Sequence, residues 1–154
     1  MRFHQVKELV TWAADFHRQL ADQYQRLADQ ASNERQKMAL AYLAQRETKQ
    51  GQELASYLAE NGDHAAVLET WFDDPADFPH APVVGRLPER LDGGEVQDVL
   101  ATALATHRTL QDLYEHRAEH AGAAHEEEFF TSLAAEHRAE VRRIVRDLQR
   151  LEAY

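Results

Sequence analysis

Six polar side chains stand out because each interrupts a run of apolar positions at helical spacing: His17, Glu47, Gln50, His107, His137 and Glu140. Three imidazoles and two carboxylates brought together could ligate a metal ion. They could equally satisfy one another as a closed hydrogen-bonded network. Left unpaired in an apolar interior, each would cost several kcal/mol. Tyr24 and Tyr114 lie two helical turns beyond His17 and His107, on the same faces, and would add two hydroxyls. The chain has no cysteine, which removes thiolate ligands, a cysteine nucleophile and disulfides.

Other chemistry has little to draw on. Ser56 and Ser132 stand in no nucleophile elbow, and there is no glycine-rich phosphate loop. His116, His120 and His125 fall around a helix end and the following turn, off the shared stripe, and are expected at the surface. Arg142, Arg143, Arg146 and Arg150 could be taken for a phosphate-binding face. In a chain of net charge -10 without interleaved aromatic residues, they are expected instead as a solvated face near a helix C-terminus, where they suit the dipole. The same charge disfavours nucleic acid and anionic membrane as main partners. No apolar signal region opens the chain and no apolar run is long enough to span a bilayer, so the expected location is cytoplasmic.

The elements that must position these residues come from a repeat. His17-Arg18-Gln19-Leu20-Ala21-Asp22-Gln23-Tyr24 returns ninety positions later as His107-Arg108-Thr109-Leu110-Gln111-Asp112-Leu113-Tyr114. At the same offset Leu43-Ala44 meets Leu133-Ala134, and the segment around Glu47 and Gln50 meets that around His137 and Glu140. One helix pair used twice explains the constant offset. The first helix is expected over about 3–30, with an inward stripe of Phe3, Val6, Val10, Ala13, His17, Leu20, Tyr24, Leu27 and Ala31. Ser32-Asn33 breaks it, with Gln36 where a capping box places Glu or Gln. The second helix follows over about 34–60, antiparallel because the turn is short, and Asn61-Gly62 closes it.

All four prolines lie in the segment from Pro75 to Pro88, so residues 63–92 are expected as a crossover running the height of a bundle, pinned to its side by Trp71, Phe72 and Phe78. Third and fourth helices are expected over about 94–120 and 124–152. The 154 residues then form one all-α domain, a four-helix bundle of two antiparallel hairpins joined by a long crossover. The approximate twofold relation of the copies brings the six polar residues to one level.

In this arrangement the chain resembles the ferritin-like superfamily, most closely its rubrerythrin-type members. Those carry Glu with Tyr seven positions later on the first and third helices, and Glu-x-x-His on the second and fourth. Here the first pair reads His17-x6-Tyr24 and His107-x6-Tyr114; the second reads Glu47-x-x-Gln50 and His137-x-x-Glu140. The resemblance implies a ferritin-like fold over nearly the whole chain and a metal position at these six residues, with Tyr24 and Tyr114 behind them. Of the six, Glu47 alone keeps the family's residue. Two carboxylates stand where a di-iron centre has four, so ordinary ferroxidase chemistry is expected to be lost.

Two functions follow as alternatives. In one, the buried His/Glu/Tyr network is a structural core, and the bundle serves assembly or partner binding. His17 and His107 then lean on Glu47 and Glu140, and the tyrosine hydroxyls complete the network. In the other, the core holds a single Zn, Fe or Mn, or a remodelled di-iron centre, for storage, sequestration or redox chemistry. Related bundles often pair through an outer helix face, so a homodimer is expected, with Trp12 as a candidate contact.

Overall fold

In the computed structural model, residues 3–59, 64–72 and 95–153 are described. They form α1 (Val6–Gln30), α2 (Glu34–Tyr57), a single-turn α3 (Ala65–Leu68), α4 (Val96–Glu119) and α5 (Ala124–Glu152). α1 packs along α2 and α4 along α5 as two hairpins, and α2 meets both α4 and α5 across the bundle. Among the described residues the one strand-like feature is an isolated antiparallel bridge between Gln5 and Trp71. No described helix is long and apolar enough to cross a membrane.

The helix limits have local causes. The first helix begins at Val6 rather than Phe3 because the preceding backbone is engaged elsewhere. The Val6 amide donates to the Thr70 carbonyl (3.0 Å), and the Phe72 amide donates to the His4 carbonyl (2.8 Å). Asn33 caps α2 as expected, its side chain accepting from the Gln36 amide at 3.1 Å. α2 ends at Tyr57, short of the expected residue 60; Leu58 and Ala59 close it with tight three-residue bonds to Ala55 and Ser56. α4 starts at Val96 under a capping box between Glu95 and Asp98. α5 matches the expected 124–152.

Contacts at the two ends fix the direction of each helix. At one end Arg35, near the start of α2, and Gln97, near the start of α4, both reach Glu152 at the end of α5 (3.4 and 2.5 Å). At the other end the Tyr57 ring, closing α2, lies 6.0 Å from Phe129 near the start of α5. α2 and α4 therefore run parallel, and Phe72 and Glu95 lie at opposite ends. This topology requires a full-height connection between the hairpins. The prolines, Phe78 and the Asn61-Gly62 cap lie outside the described residues.

Two expectations for the connection change. It contains a helical turn, α3, which packs on α1 and α5 through Val67 and Leu68. Of its aromatic anchors, Phe72 is buried, its ring 6.1 Å from Phe130 and capped by the Arg117 guanidinium at 4.2 Å. Trp71 is not an anchor by its ring, which is 65% exposed; its backbone makes the bridge to Gln5.

The interior follows the stripes. Leu20, Leu40, Leu43, Leu110, Phe130, Ile144 and Leu148 are all essentially inaccessible. Gly51 lets α1 and α2 approach at the level of His17: a Cβ there would lie 3.3 Å from the Ala14 carbonyl oxygen and 3.4 Å from the His17 Cβ. Close approach of these two backbones sets how far the His17 ring reaches across the core.

Candidate functional site

Each of the four long helices sends one polar side chain into the same buried layer: His17 from α1, Glu47 from α2, His107 from α4 and His137 from α5. All are at most 3% exposed. Glu47 is the hub. Its Oε2 accepts from His17 Nδ1 and its Oε1 from His107 Nε2, each at 2.5 Å. Burial by itself pushes the Glu47 carboxyl up. The His107 and His17 charges and hydrogen bonds outweigh that and hold it far below the usual carboxylate range. His107 feels the converse: burial lowers it, but the Glu47 carboxylate more than compensates and raises it.

His137 stands apart from the clamp. Its Nε2 donates to the His107 backbone carbonyl at 2.8 Å, and the two rings lie 4.9 Å apart. Burial, followed by repulsion from His107, pushes it down to about 3, so it is neutral at ordinary pH. The Tyr114 ring meets it edge-on at 6.0 Å. Gln50 is only half-buried. With His17, Tyr114 and His137 it lines a void of about 20 Å³, room for about one water.

The sixth residue goes elsewhere. Glu140 does not join the histidines; Arg46 holds it in a two-pronged ion pair, Nε to Oε2 at 2.8 Å and Nη2 to Oε1 at 2.5 Å. One turn away along α2, the Tyr42 hydroxyl donates to Asp147 at 2.6 Å, so α2 and α5 are clamped twice. The tyrosines also differ from expectation. Tyr24 is buried and raised, first by desolvation and then by the Glu47 charge, and its hydroxyl faces Thr106 without closing a well-formed hydrogen bond. Burial raises Tyr114 as well. Neither hydroxyl completes the Glu47 clamp, and His107 Nδ1 has no hydrogen-bond partner.

Compared with known proteins, the chain matches no family model, no curated protein and no solved structure.

The donor geometry of the clamp is that of hydrogen bonding. Two ligands of one tetrahedral ion, each at about 2.0–2.1 Å, lie roughly 3.3 Å apart. Here nitrogen and oxygen are 2.5 Å apart on both sides of Glu47, too close for an ion between them. Among the described residues no set of three His, Asp or Glu side chains is arranged to hold a metal. Both oxygens of Glu47 face imidazoles and both of Glu140 face a guanidinium.

Arg46 is the residue that sequence reasoning missed. It precedes Glu47, one step off the inward stripe, and its repeat counterpart is Glu136. The asymmetry was visible: one copy offers a cation where the other offers a carboxylate, and the unmatched Glu140 requires a partner. Of the three histidines expected at the surface, His120 and His125 are exposed and His116 is half-buried. His125 is exposed and bonds Thr70 at 2.9 Å, and His116 stacks on the exposed His120 at 4.3 Å.

Proposed function

We propose that this protein is a ferritin-like bundle without ordinary di-iron ferroxidase chemistry, whose buried His/Glu/Tyr layer is a structural core for assembly or partner binding. One observation carries this: the two carboxylates expected as metal ligands, Glu47 and Glu140, are both compensated from within the chain. Two imidazoles clamp Glu47, and the Arg46 guanidinium takes both oxygens of Glu140. The guanidinium supplies the positive charge that a metal ion would otherwise bring. Glu47 itself is fully buried in this layer. Action through the outer surface follows, in the cytoplasm and with protein partners; the acidic net charge disfavours nucleic acid. A homodimer is part of the proposal. Trp12 is half-buried between Phe3 (5.8 Å) and Phe16 (5.1 Å), leaving part of an aromatic cluster at the surface for a second copy.

A single bound Zn, Fe or Mn is the second reading. It is favoured by the void beside His17, Gln50 and His137, which lies off the Glu47 clamp and could admit one ion-sized guest. Elemental mass spectrometry of untagged protein, before and after loading with each metal, separates the two. No retained metal and an unchanged Tm with metal or chelator support the structural core. About one equivalent per chain, with a Tm that rises with metal concentration and a loss of binding on His137→Leu, supports the single-ion site instead. Light scattering across a concentration series tests the dimer, which should weaken in Trp12→Ala.

A further inference from the structure

Where the end of α2, α3 and the first turns of α5 meet, the surface sinks into a depression of about 430 Å³, within the size range of small-ligand sites. Three rings stand in its wall in a herringbone: Tyr57 and His64 at 4.7 Å, His64 and Phe129 at 5.3 Å, Tyr57 and Phe129 at 6.0 Å. Val67 and Leu133, both buried, form apolar lining. Two exposed carboxylates, Glu128 and Glu136, and the exposed His125 also line it, and no lysine or arginine is among the described residues that do. The Tyr57 hydroxyl leans on Glu136 at a long 3.4 Å, a contact a better donor can displace.

Behind that contact lies the small void already described. Tyr57, Leu133 and Glu136 also line the inner void, which adds the carboxylate of Glu53 and ends at His17 and His137. Carboxylates at the rim, aromatic rings in the wall and apolar surface beneath are complementary to a positive charge carried on a short hydrocarbon body. A carboxylate or phosphate ligand would meet two like charges and no lysine or arginine among the described lining residues.

We propose that this depression is a binding site for a small alkylammonium ion. The ammonium group sits against Glu136 and the Tyr57 ring, and the hydrocarbon end lies on Phe129, Val67 and Leu133. None of these contacts is with Glu47 or the three histidines of its layer, so the proposal is independent of what that layer does.

The test is titration of full-length protein at pH 7 with n-butylamine, protonated at that pH, and with n-butanol as the neutral isostere, followed by amide nuclear magnetic resonance shifts. Expected are saturable shifts centred on Tyr57, Phe129 and Ser132 with butylammonium, with weaker binding of butanol. Glu136→Gln combined with Glu128→Gln, both solvent-exposed changes, should weaken butylammonium binding roughly threefold to tenfold. Glu119→Gln, at the exposed end of α4, should leave it unchanged. Three outcomes each overturn the proposal: no localised shifts, butanol binding as well as butylammonium, or the double variant binding with wild-type affinity. An unchanged unfolding midpoint in the double variant ensures that any weakening is local.

Discussion

Arg46→Met exposes the logic of the core most directly. The Glu140 side chain is 4% exposed and that of Arg46 16%, so removing the guanidinium strands a carboxylate that water barely reaches. Breaking a buried pair from one side costs roughly 3 to 5 kcal/mol. The arginine end is partly wet, which places this case near the lower limit, about 3 kcal/mol. For a domain of this size that corresponds to a fall in Tm of roughly 6 to 12 °C. Replacing both partners, Arg46→Met with Glu140→Leu, removes the stranded charge and should restore stability to within about 1 kcal/mol of wild type. Urea unfolding followed by circular dichroism at neutral pH measures all three variants against wild type. A double variant as unstable as the single one would refute the reasoning, because the loss would then come from packing. So would a single variant as stable as wild type.

Glu47 should discriminate between isosteres: Glu47→Gln keeps an acceptor for one imidazole, whereas Glu47→Leu strands two buried donors and should cost roughly 2 to 6 kcal/mol by urea unfolding. His137→Leu should be milder, about 1 kcal/mol, because His137 gives up one bond to a backbone carbonyl and leaves no carboxylate unpaired. Its pH dependence has a definite sign. His137 is held neutral down to about 3, against an ordinary value of 6.5, so its share of stability is present above pH 6.5 and is lost as pH falls from there to about 3. Glu47 is also depressed and adds to acid destabilisation, its share being lost as pH falls from its ordinary value of 4.5 towards its lowered one. His107, raised above 6.5, acts oppositely: its share is complete below 6.5 and is lost as pH rises through the raised value. The urea midpoint should therefore decline on the acid side, and His137→Leu should flatten the part between pH 6.5 and about 3. Gly51→Leu should cost roughly 2 to 3 kcal/mol by forcing α1 away from α2 beside His17, whereas Gly51→Ala should be close to neutral, its helix-propensity gain offsetting a tight contact with the Ala14 carbonyl.

Apolar spacing and the ninety-residue offset were enough to derive four long helices, their hairpin pairing and the level at which His17, Glu47, His107 and His137 meet. Those properties are carried by local periodicity: a stripe at helical spacing has one way to be buried, and two copies of a hairpin stack with their equivalent residues in register. The need for a long connection between the hairpins was legible too, from the roughly thirty residues that separate them. What only the tertiary structure decided was which polar group answers which. Arg46 precedes Glu47 and so points about 100° away from it around α2, a direction whose occupant depends on the rotation of α5 about its own axis. That rotation gives Glu140 to Arg46 and leaves Glu47 to the two histidines. The alternation of residues along one chain does not contain it, because charge pairing across a bundle is set by the relative phase of helices, and packing of side chains from all of them determines that phase.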